Sequence, residues 1–112
     1  YGCQYVIITL SKNGCSVYSY QNNNVDENTN YKTINCIHQN AFYVEDTRFV
    51  DATGAGDAFA AGFLVEWINS DHNMLKSLRA GCLTGACTVQ LIGGSAIPNM
   101  QLLSEYDNTQ NI

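Results

Sequence analysis

Positive charge is scarce in this chain: five Lys plus Arg stand against ten Asp plus Glu in 112 residues, a formal net charge of −5. A protein that grips nucleic acid needs a basic stripe along its surface, so nucleic acid is not expected as a partner. An anionic substrate would have to be held by local amides rather than by a general positive field. Long apolar runs are also missing. Nothing approaches the roughly 20 residues of a membrane span, and no charged-then-apolar leader opens the chain, so no membrane partner is expected. Among Cys3, Cys15, Cys36, Cys82 and Cys87 there is no C-x-x-C pair, and none lies at metal-ligand spacing from His38 or His72. That usage reads as reduced, mostly buried thiols in a cytoplasmic protein. The chain opens on Tyr1 and enters an apolar run by Val6, which leads us to expect a piece of a longer protein whose upstream part is missing.

What is present begins with residues 5–10, YVIITL, a continuous β-branched run expected to form a strand buried on both faces of a sheet. Ser11-Lys12-Asn13-Gly14 is a turn by composition, and residues 15–20 alternate as a strand with one wet face. Residues 21–30 hold five asparagines and read as a solvated loop or hairpin tip. Strands are expected at 31–37 and 41–44, and a strand end at Phe49-Val50. The period then changes. Phe59, Phe63 and Trp67, with Ala60, Leu64 and Ile68, give the stripe of a helix that should stop near Asn69-Ser70-Asp71, which can also cap the next. Leu75, Leu78, Cys82, Ala86 and Val89 mark a second helix, in which Ala80, Gly81 and Gly85 allow close packing. Gly93-Gly94 should end it, and a short last helix is expected over 101–106. Strands first and helices after suggest the last part of an α/β sandwich.

The chain is organised around residues 49–59, F-V-D-A-T-G-A-G-D-A-F. Gly54 and Gly56 permit backbone conformations closed to other residues and bring bare amides close to a ligand. Those amides would stand at a helix N-terminus, where unpaired N–H groups and the dipole favour an anion. Asp57 in the first turn then repels what the site attracts, unless the site transfers phosphate and needs a base beside the donors. The plainer alternative is a first-turn acid, worth about 0.3–1 kcal/mol against the helix dipole, but that needs no flanking glycines. A dinucleotide turn fails at Phe59, where Gly or Ala is required, and a Walker loop fails because no Gly-Lys-Ser/Thr follows.

The segment D-A-T-G-A-G-D-A-F, residues 51–59, resembles the signature D-T-x-G-A-G-D-x-F of the ribokinase-like (phosphofructokinase-B) carbohydrate kinases, with Ala52 for the usual Thr. V-I-I-T-L-S-K-N-G, residues 6–14, is similar to the strand and turn that precede the signature there, and residues 79–98 to the helix, loop and proline that follow. The ending V-Q-L-I-G, residues 89–93, leans toward the adenosine-kinase-like branch. The resemblance implies the C-terminal, nucleotide-binding portion of a three-layer α/β/α sandwich over residues 1–112. It implies ATP-dependent phosphorylation of a hydroxyl of a sugar or nucleoside, with Asp57 as base and the backbone of Gly54, Ala55 and Gly56 as anion hole. Thr9, Ser11 and Gly14 would line the nucleotide, with Ser11 where the family usually has Gly. Cys82 would border the adenine, where Asn is frequent. Asp51 and Thr53 match positions that hold a monovalent cation such as K+, and Mg2+ would arrive with ATP. The sugar-binding half and the metal-linked Asn-x-x-Glu motif, expected upstream of the first strand, are absent from this chain. The missing N-terminal part is therefore an expected partner, and the isolated piece is expected to be inactive. A non-catalytic nucleotide-binding or pseudokinase module is the second reading, suggested by Ser11, Cys82 and the missing half.

Overall fold

In the computed structural model, residues 2–26 and 29–91 are described. The β-branched run forms strand β1 (Tyr5–Thr9), which turns through a short 3-10 segment at Ser11–Asn13 into β2 (Cys15–Asp26) and returns as β3 (Thr29–Gln39). The three pair antiparallel in the order β1-β2-β3. Register is fixed by pairs such as Ile7 with Val17 and Val17 with Ile37. A second 3-10 turn at Asp46–Arg48 leads to helix α1 (Ala55–Asn69), and α2 (Met74–Thr88) follows. Strands come first and helices after, as the composition implies.

The helices cover one face of the sheet. Cys15, Val17 and Phe42 from the strand side meet Leu78, Cys82 and Cys87 of α2 in the buried core, with Ile7, Phe59 and Phe63 packed against it. Pleating sends Val6 and Ile8 to the opposite face, where they are exposed. The expected double burial of this strand is therefore corrected to burial on one face, because no described layer lies on the other. On α1, Phe59, Phe63 and Trp67 form a stacked row with centroids 6.3 and 5.7 Å apart, while Leu64 and Ile68 are exposed. On α2 the buried face runs through Ser77, Leu78, Gly81 and Cys82, and Leu75 stands outside it. Buried hydroxyls there bond back along the helix, Ser77 Oγ to the Asn73 carbonyl (2.6 Å) and Thr88 Oγ1 to that of Thr84 (2.9 Å).

Several expected elements differ. Residues 21–26 and 29–30 belong to the β2–β3 ladder, so of the two expected readings the hairpin holds and the loop does not. Ladder bonds come from the backbone, and a polar composition does not break them. Residues 41–44 are not a strand. With no strand alongside among the described residues, Phe42 is instead plugged into the core, and the Arg79 Cζ lies 4.9 Å from the centroid of its ring. Phe49-Val50 is likewise not a strand. Asn73, not the 69–71 segment, caps α2 by accepting from the Lys76 amide (3.0 Å). That helix ends at Thr88, ahead of the glycine pair. Gly93-Gly94, Pro98 and the helix expected at 101–106 lie outside the described residues. No helix among the described residues is long and apolar enough to cross a membrane.

Candidate active site

The glycine turn is held from both sides. The Val89 carbonyl, just past the end of α2, accepts from the amides of both Val50 (2.7 Å) and Asp51 (2.9 Å). Asp51 Oδ1 in turn accepts from the Thr53 amide at 2.9 Å, an aspartate turn that bends the chain toward the helix. Gly54 follows at φ 82°, ψ 0°, the left-handed conformation that favours glycine, and serves as the N-cap of α1. The first helical bond runs from the Ala58 amide to the Gly54 carbonyl (2.9 Å). The amides of Ala55, Gly56 and Asp57 therefore precede the helical ladder. Ala55 donates back to the Ala52 carbonyl at 3.1 Å.

Gly56 differs from the expectation. It lies within α1, has no positive φ, and a methyl there would meet nothing within 4 Å. Its small size leaves open space above the amide; its backbone conformation is open to any residue. Asp57 sits in the same first turn, exposed. The sequence motif thus becomes a left-handed cap, a run of helix-end amides and a solvent-facing carboxylate within four residues.

The second group of candidates lies at the far end of the first strand. Thr9 closes β1, and the tight turn after it is tied by the Leu10 amide to the Gly14 carbonyl (2.7 Å). Ser11 adopts φ 55°, a left-handed conformation at the position where the resembling family has glycine. Gly14 is at φ 85°, and a Cβ there would collide with the Gln39 carbonyl and lie 2.8 Å from the Ala41 amide nitrogen. Cys15, the next residue, is buried with its Sγ 3.5 Å from that of Cys82 on α2. The hydrogen bond between the two thiols, with burial added, pushes the Cys82 thiol up, and the same bond lowers Cys15.

α2 is the element shared by both groups. Through Cys82 it meets the strand that leaves the first turn. Through Val89, and through Gly85, whose Cβ position is 3.6 Å from the Ala55 carbonyl, it meets the glycine turn. Sequence reading missed the Val89 carbonyl and Cys15, since neither carries a local signal. No group of three or more His, Cys, Asp or Glu side chains poised to hold a metal occurs among the described residues.

The model for the pfkB family of carbohydrate kinases matches residues 1–100. The chain belongs to this family. Over 61 residues it is 34% identical to an ATP-dependent ribose-1-phosphate kinase of Halopiger xanaduensis, covering 54% of this chain and 20% of that protein. Among solved structures it superposes on a ribokinase from Thermotoga maritima with a TM-score of 0.68 at 25% identity, covering 96% of this chain and 31% of that one. An adenosine kinase from Sinorhizobium meliloti gives a TM-score of 0.65 at 26% identity, with 96% and 28% covered. The chain spans about a fifth of the curated relatives it matches. Its meander and helix pair are thus a portion of the α/β pfkB-type fold.

Proposed function

We propose that this chain carries the base and the anion hole of an ATP-dependent kinase acting on a hydroxyl of a sugar or nucleoside. The observation that carries the reading is Asp57 standing exposed in the same first turn as the Gly56 and Asp57 amides, which have no helical partner. A carboxylate there is positioned to take the proton of an attacking hydroxyl. The amides and the positive end of α1 receive the charge that builds on the transferred group. Gly54 sets the direction of these amides, and the open space over Gly56 admits a phosphate close to the backbone. Ala55 contributes to the cradle by its turn bond to Ala52, which fixes the backbone between the two glycines.

In this reading the phosphate donor is ATP, and magnesium bound with it would neutralise phosphate charge during transfer. Thr9, Ser11 and Gly14 would meet the nucleotide, with the polypeptide beside Cys82 forming the adenine side. The Asp51 carboxylate and the Thr53 hydroxyl are oxygen donors of the type that hold a monovalent cation such as K+, next to the turn that the ion would steady. In this reading the protein is a cytoplasmic enzyme, and residues 1–112 are the nucleotide-binding C-terminal portion of its kinase domain. The acceptor is held by residues outside this chain.

The test is turnover by the intact protein: ADP release with ATP and Mg2+ over a panel of sugars and nucleosides, run beside ATP binding. Transfer to one of these hydroxyls that is lost in Asp57→Asn supports the reading. Tight ATP binding without transfer to any acceptor in the panel would make this a non-catalytic nucleotide-binding module.

A further inference from the structure

Two thiols separated by 67 positions in sequence meet inside the core. Cys15 is fully buried at the start of β2, and Cys82, on α2, keeps 8% of its surface exposed. Their sulfurs are 3.5 Å apart, and both cysteines are free. Rigid elements hold each of them. Cys15 is in register with both Thr9 and Gln39, directly after a Gly14 that no other residue could replace without collision. Cys82 follows Gly81, whose backbone lies against the Phe59 ring. Cys87, on the same helix, is buried as deeply, while Cys3 and Cys36 are exposed.

We propose that Cys15 and Cys82 are a reversible dithiol–disulfide site, which when closed ties the strand after the first glycine turn to α2. The inference stands on this geometry and does not depend on the kinase reading. A disulfide needs sulfurs about 2.05 Å apart, so the pair must close by roughly 1.5 Å. The oxidant considered is a peroxide. The Cys15 sulfur attacks one peroxide oxygen, the O–O bond breaks, and water leaves behind a sulfenic acid on Cys15. The Cys82 sulfur then attacks the Cys15 sulfur, the S–S bond forms and the S–O bond breaks. The Cys82 proton leaves with the hydroxide as a second water. The two thiols together lose two electrons and the peroxide gains them. A thiol reductant reverses the step by exchange. Either sulfur can donate the shared hydrogen bond, and the step balances equally with the two roles exchanged.

The experiment treats the intact protein with hydrogen peroxide or with reductant, blocks remaining thiols under denaturing conditions, and maps tryptic peptides by mass. Cleavage after Lys12 and after Arg79 puts the two cysteines on separate peptides that begin at Asn13 and Ala80. The expected result is a single species joining these peptides, lighter than their sum by two hydrogen atoms and abolished by reductant. Fragment ions should assign the link to Cys82 rather than Cys87. The oxidised protein should also show a higher thermal midpoint than the reduced one, and Cys82→Ser should lose both effects. Oxidation confined to Cys3 and Cys36, with Cys15 and Cys82 recovered as blocked thiols, would overturn the proposal. The wild-type map decides the question even if the variant does not fold.

Discussion

Gly81 of α2 lies directly against the aromatic ring of Phe59 in α1: a methyl group there would stand 2.7 Å from the nearest ring carbon. The two helices approach this closely only because the side chain is absent. Gly81→Ala improves helix propensity by about 1 kcal/mol but overpacks a core contact, which typically costs about 1–3 kcal/mol. The ring has little room to retreat, because Phe59 stacks on Phe63 and Phe63 on Trp67. We expect a net loss of about 1 kcal/mol in denaturant unfolding of the intact protein. A gain in stability would show that the ring moves freely.

Ser11 and Gly14 share one turn and should respond in opposite directions. Ser11 holds φ 55°, which costs a residue with a Cβ about 1–2 kcal/mol. Ser11→Gly removes that strain but adds about 0.5–1 kcal/mol of chain entropy, so a small net stabilisation is expected. Gly14→Ala meets both a positive φ and the Gln39 carbonyl, and should lose roughly 3 kcal/mol or more. Chemical denaturation of the two variants side by side checks the signs.

The glycines of the central turn can be separated in the same way. Gly54→Ala forces a Cβ into a left-handed cap, so stability should fall by about 1–2 kcal/mol. Gly56→Ala enters open space within a helix and should raise stability by about 0.5–1 kcal/mol. If a phosphate does rest on the Gly56 amide, the same methyl weakens ATP binding. A more stable protein with poorer ATP affinity is the expected outcome. Unchanged affinity would move the phosphate away from Gly56.

Asp57→Asn keeps the shape of the side chain and removes the base. Turnover should fall by about 10²–10⁴-fold, the range for general-base catalysis. ATP affinity should hold or improve, since a negative charge near the phosphates is gone. Single-turnover rates measured beside calorimetric ATP binding separate the two effects. A near-normal rate would leave Asp57 as a first-turn acid at a helix end.

The parts legible in the sequence were those with a local cause. The change of period after Gly56 gave α1 its position, and the composition of Ser11 to Gly14 gave the turn between β1 and β2. The asparagine-rich stretch reads as a loop or a hairpin tip; the hairpin holds, but the length of its ladder was not legible, because side-chain composition is silent about backbone ladder bonds once register is set by Val17 and its neighbours. Residues 41–44 have the composition of a strand, yet only an adjacent chain makes such a run a strand, and Phe42 found a core site instead. At the candidate site, the glycine turn and Asp57 were visible as a motif. The clamp from Val89 and the contact between Cys15 and Cys82 were not, since each joins residues far apart in sequence.

The meander and the helix pair also bear on how the chain folds. Among the described residues every strand pairing joins consecutive strands, and α1 and α2 are consecutive helices. Each half can form through short loop closures, the kind of local search that proceeds on microsecond scales. The slow event is then the encounter between the halves, where Cys15, Val17 and Phe42 must find Leu78 and Cys82 across a long intervening chain. Because the strand half precedes the helix half in the chain, it emerges first during synthesis. Its residues Cys15, Val17 and Phe42 stay without their α2 partners until that helix has been made.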